Sequence, residues 1–308
     1  MWRALLLLLG VAVSACSTPS SHSAVQGEQS NVRRAPRPVS IEVSPPLTDD
    51  AHSTAIREWI DNSRRAVEAY FGRFPVETMR LELTPARRRG IGSGSARMLD
   101  VPTIRVAVHA STRPDQFAKD WTLTHEMIHL AIPALPDEQH WFEEGAATYV
   151  EPLARARAGL VAEDRVWTEI VGDYAQGLPE KNDRGLDLDS SWGRTYYGGA
   201  IFCLLADIEI RAATNNAKSL RDALVAVVES GGSIAMQDTI EHVFAIGDTA
   251  TGTTVLSDLY ARMKNAPEPR ELASTWKSLG VSVNLGHVTY DDGAPLAHVR
   301  RELIVGPR

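Results

Sequence analysis

The sequence is poor in cysteine, with only Cys16 and Cys203 among its 308 residues. A disulfide framework therefore cannot hold the fold together, and stability must come from packing or from a bound metal. Cys203 lies in the apolar stretch 200–205, so we expect a buried thiol there.

The sequence also lacks an excess of positive charge. Its 32 lysines and arginines are outnumbered by 39 acidic residues, which gives a formal net charge of -7. Nothing in this balance offers the basic surface that nucleic-acid binding requires, so DNA and RNA are not expected partners. With 44% hydrophobic residues, the chain is long enough to bury a substantial core in one large or two moderate domains.

The apolar run at the N terminus, Leu5 to Val13, is too short to cross a bilayer comfortably. Arg3 precedes it, and the small residues Ser14 and Ala15 follow it. This layout predicts a signal peptide over residues 1–15.

The run ends in Val13-Ser14-Ala15-Cys16, which resembles the bacterial lipobox. The resemblance implies acylation of Cys16, with the membrane as a partner and the cell envelope as the location. Ser17 follows where an aspartate would suggest retention at the inner membrane, so a Gram-negative host implies the periplasmic side of the outer membrane. The alternative is an ordinary cleaved signal peptide with an incidental cysteine.

Composition and periodicity predict an α+β chain. Residues 16–40 are rich in Ser, Pro and Gln and read as a flexible linker. One folded domain is expected over 41–285, with a sheet and a helix in 41–130 and a helical lobe in 131–285, followed by a hairpin or tail over 286–308. Predicted strands cover 41–43, 79–83, 103–108, 281–283 and 288–290, and the glycine-rich segment 90–95 is predicted to be a loop.

The predicted helices begin with one over 50–71. A second runs from a cap at Ser111 or Thr112 to Pro133, and a third covers about 141–150 and ends before Pro152. Further helices are expected at about 166–174, 196–213, 220–229, 237–244 and 255–264.

The second of these helices carries His125-Glu126-Met127-Ile128-His129. Histidines four residues apart project from one helical face, so both imidazoles can bind a single Zn²⁺. Glu126 would lie beside that ion as a general base. The alternative is a helix with two partly exposed histidines paired to a glutamate.

A catalytic zinc needs a third protein ligand and an open position for water. The next predicted helix offers a carboxylate, Glu144, fifteen positions after His129, with Glu143 beside it. Prolines at 133 and 136 would let this helix turn back across the first one.

These motifs resemble those of the gluzincin metallopeptidases, over about 105–211. The segment Trp141-Phe142-Glu143-Glu144-Gly145-Ala146-Ala147 is similar to the Trp-x-x-Glu-Gly-x-Ala element of the aminopeptidase-like branch. That resemblance implies Glu144, and not Glu143, as the third zinc ligand. Glu143 is predicted to be a solvated residue at the start of the helix, with a supporting contact to the metal ligands as the alternative. The run Thr195 to Ala200 is similar to the Tyr-x-x-Gly-Ala element, which implies Tyr196 as the donor to the oxyanion, with Tyr197 as its rival.

The resemblance implies a gluzincin-type catalytic domain that hydrolyses peptide bonds of a peptide or protein substrate. The strand near 104–108 is expected to border the cleft, where an extended peptide could pair with it. Exopeptidases of this branch carry a Gly-x-Met-Glu-Asn motif, but no glutamate lies between Arg89 and His109. We therefore expect an endopeptidase or a non-standard exopeptidase. The alternatives are an aminopeptidase with a different amine-binding acid and an inactive lipoprotein that uses the same fold as a binding module.

Two further features have less specific patterns. His140 is predicted to be a polar surface group, with a partner role to Glu144 as the alternative. The acidic segment 183–189 is predicted to be a solvated loop, because its spacing does not match an EF-hand.

Overall fold

A computed structural model describes residues 38–267 and 272–304. The predicted signal peptide, the acylated Cys16 and nearly all of the predicted linker lie outside these residues. Over the two described ranges, none of the helices combines the length and apolar character that a membrane span requires.

A four-stranded sheet forms the N-terminal part of the fold. Its strands are β1 (Ser40–Ser44), β2 (Thr78–Pro85), β3 (Ile91–Met98) and β4 (Pro102–Val108), in the order β1-β2-β4-β3. β1, β2 and β4 are parallel, and β3 is antiparallel to β4. Leu81 pairs with Ile104 at the buried centre. The small mixed sheet predicted for this region is confirmed.

The prediction of a loop at 90–95 is wrong, because β3 covers most of that segment. Glycine, serine and alanine carry little strand preference, and the backbone of β4 supplies the pairing that makes β3 a strand. As a result β3, and not β4, is the edge strand on this side of the sheet.

The first helix, α1 (Ala51–Phe71), has clear local signals at both ends. The Asp50 carboxylate accepts a hydrogen bond from the Ser53 N–H at 2.7 Å, and Gly72 ends the helix with a φ of 79°. Between them, Trp59 and Val67 belong to the buried face.

The remainder of the described chain is mainly helical, as predicted. Its helices are α2 (Pro114–Lys119), α3 (Thr122–His129), α4 (His140–Arg157), α5 (Glu163–Asp173), α6 (Gly199–Thr214), α7 (Leu220–Glu229), α8 (Ile240–Thr251), α9 (Val255–Met263), α10 (Leu272–Leu279) and α11 (Ala297–Leu303). Two further strands, β5 (Val281–Asn284) and β6 (His287–Tyr290), form a terminal hairpin. The predicted boundary between the helical lobe and the C-terminal tail, at residues 285 and 286, therefore falls inside this hairpin. The predicted domain divisions otherwise stay predictions.

Two predicted helices near the site have different bounds in the structure. The helix expected from about 112 to Pro133 is two helices, α2 and α3, interrupted at Asp120. The Asp120 carboxylate accepts the Leu123 N–H at 3.2 Å and the Trp59 indole N–H at 2.8 Å, which starts α3 in a new direction. α4 does not end before Pro152 but continues through it to Arg157. Burial of α4 in the core offsets the hydrogen bond that this proline removes.

α4 lies at the centre of the helical part and packs closely on α6. A Cβ on Gly145 would lie 2.3 Å from the backbone of Gly199, so only glycine allows this approach. A short π-helical turn, Arg194–Gly198, precedes α6, where the sequence predicts ordinary helix from Tyr196. Cys203 on α6 is a buried free thiol, as predicted.

Candidate metal centre

α3 carries His125 and His129 on one face, and their side chains meet in a nearly closed space. The two Nε2 atoms are 3.3 Å apart. The side chains are 6% and 11% exposed, respectively. The expected convergence of the two imidazoles is therefore present, and the alternative of two partly exposed histidines does not describe the structure.

α4 brings Glu144 to the same point. Its Oε2 atom lies 3.2 Å from the Nε2 of His125 and 3.4 Å from the Nε2 of His129. Glu143 serves elsewhere: its carboxylate accepts the backbone N–H of Leu135 at 2.6 Å and contacts the His140 ring at 3.0 Å. The side chains of the two adjacent glutamates thus have different partners. The prediction that Glu143 is a solvated residue is wrong, because its side chain is only 20% exposed and its oxygens contact Leu135 and His140.

His125, His129 and Glu144 could hold a metal ion. Each offers one ligand atom, and these atoms lie within 4.8 Å of one another. Across the described ranges 38–267 and 272–304, no second group of three or more such residues is found.

Electrostatics favour an ionised Glu144. Burial alone would raise the pKa of this carboxyl, but hydrogen bonds from His125, His129 and His140 outweigh burial and hold the pKa well below its usual range. His140 is 52% exposed, and its Nε2 lies 3.3 Å from Oε1 of Glu144. It is therefore both a surface group and a partner of Glu144. Contacts with Glu143 and Glu144 raise its pKa to about 10.

Glu126 lies beside the cluster and is itself 7% exposed. Burial, together with the charge of Glu144, raises its pKa to about 7, although His129 acts in the opposite direction. Gly94 on β3 covers this side chain so closely that a Cβ there would lie 2.5 Å from Cγ of Glu126. Sequence reasoning missed Gly94, because nothing local distinguishes it from a loop glycine.

The π-helical turn separates the roles of the two tyrosines. Burial, together with the nearby charge of Glu144, raises the pKa of the Tyr196 hydroxyl to about 12. The Tyr196 ring stacks on the His125 ring with centroids 6.3 Å apart. Tyr197 instead lies against Tyr174, at 6.1 Å between centroids. Of the two candidates, Tyr196 is the one beside the cluster.

A cavity of about 760 Å³ opens from His125 and Glu126. β3 forms one wall through Ile91 to Gly94, which corrects the expectation that β4 borders the cleft. Trp121 and Trp192, which are 54% and 60% exposed, also line it. The cavity joins the candidate metal centre to the edge of the sheet.

The acidic segment 183–189 is not the solvated loop that the sequence predicts. Asp183 is buried and pairs with Arg194 Nε at 2.6 Å. Asp187 accepts hydrogen bonds from the indole of Trp141 at 2.8 Å and the hydroxyl of Tyr260 at 2.7 Å. These acids tie the start of α4 and the turn that carries Tyr196 to the rest of the fold.

No family model matches the sequence, and no curated protein matches it. Among solved structures, the chain is similar to an aminopeptidase N family protein from Idiomarina loihiensis, with a TM-score of 0.57 and 15% sequence identity. The alignment covers 79% of this chain and 47% of that protein. The predicted α+β architecture, with a small N-terminal mixed sheet and a mainly helical remainder, is confirmed, and this similarity extends to the fold of that structure. An M1 zinc metallopeptidase from Deinococcus radiodurans aligns with a TM-score of 0.43, 17% identity, and coverage of 74% and 49%, respectively. The chain spans about half the length of either structure.

Proposed function

We propose that this protein is a zinc-dependent peptidase that cuts peptide bonds with a metal-activated water. The observation that carries the proposal is the meeting of His125, His129 and Glu144 in one buried cluster beside Glu126. Two imidazoles and one carboxylate are the donor set of catalytic zinc sites, in which the fourth position stays open for water or substrate.

The spacing of the three donor atoms fits a zinc ion. Zinc bonds of about 2.0 to 2.1 Å in a tetrahedron place neighbouring ligand atoms about 3.3 to 3.4 Å apart. The three separations in the cluster are 3.3 Å between the His125 and His129 nitrogens, and 3.2 and 3.4 Å from them to Glu144. His140, on the other oxygen of Glu144, would help to orient that ligand.

A zinc ion at this site would supply a Lewis acid that polarises water and the peptide carbonyl. Glu126 is placed to take a proton from the attacking water and to return it to the departing amine. Tyr196 is placed to donate a hydrogen bond to the carbonyl oxygen as it gains negative charge. The low dielectric around these buried groups would strengthen both interactions.

The free edge of β3 is the expected position of an extended substrate. Its residues Ile91 to Gly94 line the cavity next to Glu126, and an added strand could pair with their backbone groups. β3 contains no acidic residue that could bind a free α-amine. This favours an endopeptidase or a non-standard exopeptidase. We further propose that acylated Cys16 holds the enzyme at the cell envelope.

The decisive comparison is between wild-type protein and Glu126→Gln, each purified and loaded with zinc. Metal content is measured by mass spectrometry, and cleavage is followed on a peptide library. We expect Glu126→Gln to keep zinc and lose cleavage by a factor on the order of 10³, because it retains the ligands and removes the proton acceptor. Full activity in a zinc-loaded Glu126→Gln protein would exclude the mechanism.

A matched pair tests the ligand assignment. Glu144→Gln should weaken zinc binding by a factor on the order of 100 or more, whereas Glu143→Gln, one residue away, should keep the metal. If the wild-type protein binds zinc but cuts no peptide, the alternative of an inactive binding module is favoured.

A further inference from the structure

The lining of the cavity is acidic beyond the candidate metal centre. Four carboxylates line it besides Glu126, and the only two arginines among its lining residues are already engaged in ion pairs with two of them. The acidic residues are Asp120, Glu151, Glu169 and Asp173. Arg155 Nη1 lies 2.9 Å from Glu151, and Arg165 Nε lies 2.6 Å from Glu169. The lining beyond Glu126 therefore carries two negative charges that no arginine of the cavity offsets.

Glu151 is the most enclosed of these acids. It is 6% exposed, and only its Oε1 atom has a hydrogen-bond partner, Arg155, within the described part of the chain. Burial raises the pKa of Glu151 to about 7, with the charges of Glu169 and Asp120 adding to this effect and Arg155 opposing it. Its other oxygen, Oε2, has no partner among the described residues and is not fully buried, so it can accept a hydrogen bond from a ligand in the cavity.

Tyr174 provides a second, independent observation. It is 3% exposed and lines the same cavity, yet its buried hydroxyl has no hydrogen-bond partner in the described structure. Pro152 and Ile170 line the cavity too and make this part of its wall apolar. A carboxylate oxygen without a partner and an unpartnered hydroxyl beside an apolar wall match a long side chain with a cationic head.

Distance selects a side chain over a terminal amine. Glu151 follows Glu144 by seven residues on α4, which places it about 10 Å along the helix from the metal centre. The α-amine of a residue at the cut lies only about 2.5 Å from its own carbonyl carbon, whereas a lysine ammonium lies about 6 Å from its Cα. Among the groups of the residue at the cut, the side chain extends far enough toward Glu151 and the α-amine does not.

We propose that Glu151, Glu169 and Tyr174 form a subsite for the lysine or arginine side chain of a substrate residue next to the cut bond. This rests on the proposed peptidase function. An acidic side chain would be repelled there, and an apolar one would leave Oε2 of Glu151 without a hydrogen-bond donor.

The test uses amino-acetylated, internally quenched peptides that differ only in lysine or norleucine at the residue on either side of the cut. Norleucine keeps the aliphatic stem and removes the charge. We expect kcat/KM for the lysine peptide at one of these positions to exceed that for norleucine by about tenfold or more, the value of one charge-assisted hydrogen bond.

Glu151→Gln should reduce the lysine preference to about twofold. Glu169→Gln and Tyr174→Phe should each reduce it in part, and both serve if Glu151→Gln folds poorly. Glu163→Gln is the matched control, because Glu163 lies on α5 but does not line the cavity. The ratio of two peptides is independent of the fraction of folded enzyme.

Cleavage without a lysine preference, or a preference that survives all three variants, would overturn the subsite and leave the peptidase function intact. A preference that disappears when the α-amine is acetylated would also overturn the assignment to a side chain. Zinc-loaded Glu126→Gln protein gives a test without turnover: calorimetry should show the lysine peptide binding about tenfold tighter than the norleucine peptide. Equal binding would count against the subsite even if no peptide is cut.

Discussion

Replacing Gly94 with alanine should disable the candidate active site without removing its metal. A Cβ at this position would lie 2.5 Å from Cγ and Oε1 of Glu126, whereas ordinary contacts begin at 3.4 Å. The carboxylate would have to move by about 1 Å, because Glu126 is 7% exposed and is enclosed by its neighbours.

The size of the effect follows from that displacement. A misplacement of about 1 Å in a catalytic group can reduce the rate by about 100-fold. The three candidate ligands lie on α3 and α4 and do not contact the new methyl group directly, so zinc content should be unchanged. Overpacking should also lower the free energy of unfolding by about 1 to 3 kcal/mol.

The assay compares kcat, zinc content and thermal midpoint for wild type, Gly94→Ala and Ser95→Ala. Ser95 is the next residue of β3 and points to the other face of the strand, so its variant controls for changes in the strand itself. A folded Gly94→Ala protein with the wild-type kcat would refute the argument that Gly94 sets the position of Glu126.

Three further predictions concern stability. Gly145→Ala should abolish soluble expression or severely lower the thermal midpoint, since the alanine Cβ would lie 2.3 Å from the Gly199 backbone. A wild-type thermal midpoint would contradict the packing described for α4 and α6. Asp183→Asn should lower the free energy of unfolding by about 3 kcal/mol, measured by denaturant titration, because it leaves Arg194 buried without its counter-ion. An unchanged denaturation midpoint would show that the ion pair is not important for stability. Gly172→Ala in α5 should stabilise the protein by about 0.5 to 1 kcal/mol, since nothing lies within 4 Å of the new methyl group, and a lower midpoint in calorimetry would count against this.

Much of the candidate site could be predicted from the sequence, because its groups follow one another at helical spacing. His125, Glu126 and His129 share one turn of α3, so their convergence depends on local geometry alone. Glu144 was selected over Glu143 by resemblance, and its contact with both rings in the structure agrees with that selection. The strands β1, β2 and β4 were predicted because apolar side chains alternate along them.

Other features depend on contacts between residues that are far apart in the chain. For these features the local sequence pattern predicts nothing or predicts the wrong structure. β3 is a strand because β4 supplies its hydrogen bonds, and Gly94 matters because Glu126 packs on it. Asp183 is buried because Arg194 compensates its charge, although an acidic segment by itself predicts a solvated loop.

The sequence by itself determined that the chain is a globular, cysteine-poor protein of α+β character, and which chemical groups are available at the site. Residue types and short spacings carry that information. Only the tertiary structure decided which tyrosine lies beside Glu144, which strand forms the wall of the cavity, and that Glu151, Glu169 and Tyr174 line the same cavity. The physical reason is that burial and electrostatic environment are properties of packing, and packing joins side chains that no sequence window contains.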